Sequence, residues 1–133
     1  MDDHAKIIIA DVHSSFREGM KLFIEMEGMG EVIAETDSGR GLLGLLDKLN
    51  PDLVIIDIEM PGMGGLKTYR KAMAKKPDLK FMVLTMNSVR EKYSGLINAG
   101  VVDFVLKTAG KQVIENAIKK LIAGESDFST KKI

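Results

Sequence analysis

The sequence predicts a doubly wound α/β domain, with five parallel strands in one sheet and helices on both faces. Three observations predict it. Apolar runs alternate with amphipathic stretches five times along 133 residues, the pattern of successive βα units. The run Leu53-Val54-Ile55-Ile56 has no polar face, as a strand buried on both sides of a parallel sheet requires. Four apolar runs end on polar residues, at Asp11, Asp57, Thr85 and Lys107. Parallel strands would gather those four at one sheet edge, where open α/β sheets bind ligands.

Strands are expected near Lys6–Ala10, Val32–Glu35, Leu53–Ile56, Phe81–Leu84 and Val102–Leu106. Between the first two, Ser15-Phe16-Arg17-Glu18 reads as a capping box opening a helix. Phe16, Met20, Phe23 and Ile24 form its apolar face, and Gly28 and Gly30 stop it. A second helix is predicted over roughly Gly39–Leu49, ending at Asn50-Pro51. A third carries Leu66, Tyr69 and Met73 inward and ends before Pro77. A further capping box, Ser88-Val89-Arg90-Glu91, opens a helix that buries Tyr93, Leu96 and Ile97 and stops near Gly100. The final helix buries Val113, Ala117, Ile118, Leu121 and Ile122. Connections between parallel strands are right-handed. Residues 1–124 fit one domain, and 125–133 read as a polar tail or the start of a linker.

Composition excludes several classes. Nineteen basic and nineteen acidic residues give no net charge, hence no basic field for nucleic acid or anionic lipid. There is no cysteine, so disulfides and thiolate metal sites are out, and two histidines cannot make a polyhistidine zinc site. No apolar stretch is long enough to span a bilayer, and the N-terminus lacks the basic and apolar regions of a signal peptide. A cytoplasmic location is the expectation.

Two carboxylates, a hydroxyl and an ammonium suit a divalent cation and a phosphoryl group, and make a poor core. Pro61-Gly62 turns the chain away just after Asp57. Each residue also has a plainer reading. Asp57 could simply open a turn and Lys107 could be a surface lysine, but their company with Thr85 argues otherwise. Phe104 could be core. His13 could approach a bound phosphate and Asn87 could tune access of water to it, but the plainer readings are a loop or helix-start side chain and a loop residue. The nine methionines read as core filler, with Met60 and Met63 close enough to the site to contact a partner.

Over residues 5–124 the chain resembles the receiver domain of two-component response regulators, a flavodoxin-like (βα)5 fold. The resemblance rests on Pro51-Asp52-Leu53-Val54-Ile55-Ile56-Asp57-Ile58-Glu59-Met60-Pro61-Gly62-Met63, with Thr85, Phe104 and Lys107 at matching positions. It implies a phosphoacceptor at Asp57, a switch hydroxyl at Thr85, a switch aromatic at Phe104 and a phosphate-facing lysine at Lys107. It also implies Mg²⁺ as cofactor, held by Asp11 (through a water), Asp57 and the Glu59 carbonyl. The implied partner is a sensor histidine kinase, with homodimerisation on phosphorylation. Ala10-Asp11-Val12-His13-Ser14-Ser15-Phe16-Arg17-Glu18-Gly19-Met20 resembles the LuxR/NarL-like branch, which couples its receiver to a helix-turn-helix DNA-binding domain. DNA contact would then belong to that output domain.

One position departs from the pattern. Where the family has a second acid after the first strand, this chain has Val12. That acid is a direct Mg²⁺ ligand, so cation affinity should fall. The Glu59 side chain could reach the cation, although a solvated loop residue is the plainer reading. A competing function follows: a pseudo-receiver that keeps the fold as an interaction module and takes no phosphate. A haloacid-dehalogenase-like phosphatase fits poorly, because Val12-His13 follows Asp11 where a second Asp is wanted two residues on. Ser14-Ser15 is thin support for a flavodoxin phosphate loop.

Overall fold

The computed structural model describes residues 4–86 and 104–124. Along the chain run β1 (Lys6–Ala10), α1 (Ser14–Met26), β2 (Glu31–Thr36), α2 (Gly39–Leu46), β3 (Leu53–Asp57), α3 (Gly65–Lys75), β4 (Lys80–Thr85), β5 (Phe104–Leu106) and α4 (Lys111–Ile122). The sheet order is β2-β1-β3-β4-β5 with every pairing parallel, the flavodoxin-like order. The predicted helix opening at Ser88, and Asn87, lie outside the described residues.

Period-two alternation sends each strand's side chains to two separate cores. Ile7, Ile9, Leu53, Ile55, Met82 and Leu84 face α1 and α4, against Met20, Ile24, Ala117, Ile118 and Leu121. Ile8, Val54, Ile56, Phe81 and Val83 face α2 and α3, against Leu42, Leu46, Tyr69 and Ala72. All five residues of β3 are buried, which is why its sequence carries no polar alternation. Each fully buried Leu or Ile contributes about 1.5–3 kcal/mol. The strands set the site because they are the least exposed part of the chain.

Several local expectations are corrected. The first capping box does not form. Helix α1 starts at Ser14 with His13 as N-cap and no side-chain cap bond, because the Asp11 carboxylate takes the His13 amide at 2.8 Å and turns the chain early. In α4 the buried face is Ile114, Ala117, Ile118 and Leu121, and Val113 is 51% exposed. Ala117, Ile118 and Leu121 face the core as expected and Ile122 packs partly against it, so only the first position of the face moves, from Val113 to Ile114. In α3 the fully buried positions include Thr68 and Ala72, while Leu66 and Met73 are only partly covered. Helix α2 stops at Leu46, short of Leu49. Met60 is 4% exposed in the core beside α2 and α3. It is filler and presents no surface to a partner.

Candidate functional site

The sheet reverses its winding between β1 and β3, since β2 lies outside β1 and β4 lies outside β3. This switch point is where such sheets bind ligands. Ala10 is in register with Ile56, so Asp11 and Asp57 follow side by side. Asp57 is in register with Leu84, and Thr85 with Leu106, so Thr85 and then Lys107 join the same edge. The backbone fixes these ends: Asp11 N donates to Thr36 O at 3.0 Å, Ile58 N to Leu84 O at 3.0 Å and Lys107 N to Thr85 O at 2.8 Å.

The side chains converge. The Lys107 ammonium stands 2.6 Å from Asp11 Oδ2 and 3.1 Å from Asp57 Oδ2. Asp11 is 0%, Asp57 2% and Thr85 3% exposed. Asp57 Oδ1 accepts the Glu59 amide at 2.9 Å. Asp11 Oδ1 accepts the His13 amide and lies 3.3 Å from His13 Nδ1. Beneath the cluster, the Lys107 ammonium sits 4.5 Å from the centre of the Phe16 ring, a cation–π contact. Arg17 donates to the Asp11 carbonyl and pairs with Glu35 at 3.2 Å, tying α1 to β2 across the mouth. Gly62 has φ +83°, a backbone that glycine adopts freely, and the chain turns there just after Asp57.

Two buried carboxylates share one ammonium, and this unevenly paired charge defines the site. Buried charge is costly unless paired, and here the carboxylates exceed the cation by one. Asp11 Oδ2 has no aligned hydrogen-bond donor among the described residues. The close Lys107 contact at 2.6 Å is an ion pair, so the atom is compensated by charge alone. Carboxylate oxygens are hard ligands suited to Mg²⁺, and the excess negative charge fits a divalent cation. Asp11, His13 and Asp57 each bring a ligand atom within 4.8 Å of the others.

Of the residues singled out from sequence, Asp11, Asp57 and Lys107 are in contact, and Thr85 ends the neighbouring strand. Glu59 joins through its amide. Phe104 is half-buried against the core on the α2 and α3 side. Val12 is 38% exposed. Sequence reasoning allowed His13 near the site but not its pairing with Asp11, although a polar residue two positions after an Asp is the spacing of an Asx turn. It also missed Phe16 beneath Lys107, having assigned that ring to the helix face alone. A cleft of about 620 Å³ opens at the opposite edge, lined by Asn50, Pro51, Lys75, Lys76 and Lys80, away from this chemistry.

The comparisons agree with this geometry. The model of the response regulator receiver domain matches residues 7–119. The response regulator GacA of Pseudomonas aeruginosa is 33% identical over 125 residues, covering 93% of this chain and 58% of GacA. The transcriptional regulatory protein DegU of Brevibacillus brevis is 30% identical, covering 92% of this chain and 52% of DegU. The chain thus spans little more than half the length of these relatives. Among solved structures, a LuxR-family two-component response regulator from Aurantimonas sp. superposes with TM-score 0.86 at 26% identity, covering 93% of this chain and 89% of the other. The isolated REC domain of RcsB from Salmonella enterica serovar Typhimurium, solved with the phosphomimetic BeF3-, superposes with TM-score 0.85 at 26% identity, covering 93% and 92%. With its fold and most of its length matched, this chain belongs to the family of response regulator receiver domains.

Proposed function

We propose that the chain is a working phosphoacceptor receiver that takes a phosphoryl group onto Asp57 from a phosphohistidine of a sensor histidine kinase. The observation that carries this reading is the buried Asp11–Lys107–Asp57 cluster at the switch point. In the transfer, an Asp57 carboxylate oxygen forms a bond to phosphorus as the bond from phosphorus to the histidine nitrogen breaks. Such transfers depend on positioning and charge stabilisation. Lys107, already aimed at both carboxylates, neutralises a phosphoryl oxygen. Thr85 donates its hydroxyl to another, and its movement makes room for Phe104 to turn inward, shifting the population between two packings. Asp11, Asp57 and the Glu59 carbonyl are the residues that would hold Mg²⁺. When bound, that cation supplies the charge that lets an anionic nucleophile meet an anionic phosphoryl group.

In this reading residues 1–124 are the receiver and 125–133 a tail or linker, the site is cytoplasmic, and phosphorylation changes self-association. DNA contact belongs to an output domain of the kind the relatives' regulatory names suggest, and the receiver itself contacts neither DNA nor membrane. No helix among the described residues is long and apolar enough to cross a membrane.

A second reading, the pseudo-receiver, draws on Val12, an exposed aliphatic side chain where the family has an acid. Intact mass after incubation with acetyl phosphate, with and without Mg²⁺ and beside Asp57→Ala, separates the two. One phosphoryl group added only with Mg²⁺ and only with Asp57 present establishes the receiver. No adduct, together with no response to beryllofluoride, establishes the pseudo-receiver.

A further inference from the structure

Three features single out His13. It immediately follows the residue that replaces the missing acid. Its ring is not used as a helix cap, since α1 has no side-chain cap bond there. Its Nδ1 instead lies 3.3 Å from Asp11 Oδ1, and it completes the one mixed group of ligand atoms (Asp11, His13, Asp57) found among the described residues. The His13 side chain is 64% exposed, so it can turn and meet a solvated cation. Asp11 Oδ2 is fully buried without an aligned donor, so one ammonium leaves the neighbouring carboxylates short of compensating charge.

Resting on the cation-assisted site described above, we propose that His13 Nδ1 takes the place of the absent acid as a cation ligand. The site then favours first-row transition ions over Mg²⁺ in the order of their affinity for nitrogen, with Mn²⁺ the weakest of them and a convenient spin probe. The chemistry is that of donor softness: carboxylate and water suit Mg²⁺, whereas imidazole shifts preference toward first-row transition ions. Replacing a charged oxygen donor with a neutral nitrogen removes most from the hardest cation, which also dehydrates most reluctantly.

Pulsed EPR of Mn²⁺ bound to the whole chain tests this without any turnover. The expected result is nitrogen modulation from a directly bound imidazole, absent in His13→Ala. In that variant, Mn²⁺ affinity should fall on the order of tenfold while Mg²⁺ affinity changes less than about twofold. Val12→Asp should restore Mg²⁺ binding whether or not His13 is present. A bound Mn²⁺ without nitrogen modulation, an equal loss of both ions in His13→Ala, or no Mn²⁺ held at millimolar concentration overturns the proposal. The mass assay on Asp57 runs beside it. Nitrogen modulation with neither an Asp57 adduct nor a response to beryllofluoride sinks the phosphoacceptor reading and leaves the imidazole ligand standing. An Asp57 adduct without modulation does the reverse.

Discussion

Replacing Lys107 with Met, in the presence of a chelator, should be the most destabilising conservative change at the site. The ammonium lies 2.6 Å from one buried carboxylate and 3.1 Å from another, with its own side chain 4% exposed. At an effective dielectric of about 20, those separations correspond to roughly 6 and 5 kcal/mol of gross attraction. Desolvation offsets much of that, and removing one partner of a buried pair typically costs about 3–5 kcal/mol, because the remaining charge is left uncompensated. Here two carboxylates are left facing one another, so the upper part of that range applies. Far-UV circular dichroism is the appropriate signal, since the chain has no tryptophan. With a urea slope of about 2 kcal/mol per molar, the midpoint should fall by about 2 M. Asp57→Asn should behave in the opposite way. It removes the surplus negative charge and leaves Lys107 paired with Asp11, so stability should hold or rise. Asp11→Asn/Asp57→Asn/Lys107→Met should recover most of the loss, since the three act as one unit. A Lys107→Met midpoint within about 0.5 M of the parent, a shift worth about 1 kcal/mol, would refute this account of the cluster. So would an Asp57→Asn loss larger than that of Lys107→Met.

Other consequences can be checked alongside. The Tyr69 ring is buried edge-on against Phe81, centroids 5.0 Å apart, and burial raises its phenol above the ordinary 10.0. The folded state therefore holds that proton more tightly than the unfolded chain does. Its stabilising contribution is complete below pH 10 and is lost as pH rises through the folded value. Tyr69→Phe should flatten the alkaline decline seen in denaturation midpoints above pH 10; an unchanged slope would show that another group is responsible. At Gly39 an added Cβ would lie 2.1 Å from Thr68 Oγ1, so Gly39→Ala should cost about 1–3 kcal/mol by overpacking α2 against α3. Thr68→Ala in the same chain should return most of it, and purely additive losses in thermal melts would show that the two helices do not clash there.

The sequence made the strand ends legible for a simple reason. A strand buried on both faces tolerates few polar residues before its last position, so Asp57 and Thr85 at strand ends, and Asp11 and Lys107 just beyond them, mark their own positions. The helices were less legible. Val113 and Ile114 are both apolar neighbours in sequence, and only packing against β4 and β5 decides that Ile114 turns inward. The Ser15 capping box was outcompeted by a local turn, the Asp11 carboxylate on the His13 amide. Thr68, fully buried, is polar, and its hydroxyl is satisfied within its own helix by Gly64 O at 2.6 Å. Hydropathy alone cannot distinguish that from a solvent position. His13 is the same lesson at the site: its ring approaches Asp11 because of a turn, and no periodicity reports a turn.

The two acidic positions stand on adjacent rails of one ladder, Ala10 against Ile56. Neighbouring strands lie about 4.8 Å apart whatever side chains they carry. The gap between the carboxylates is therefore gauged by backbone hydrogen bonds, like the track width of a railway, and not by the loops beyond. Val12 lies one residue past the bond from Asp11 N to Thr36 O. A residue placed there can be exchanged, and the donor set of the mouth retuned, while the gauge beneath it stays the same.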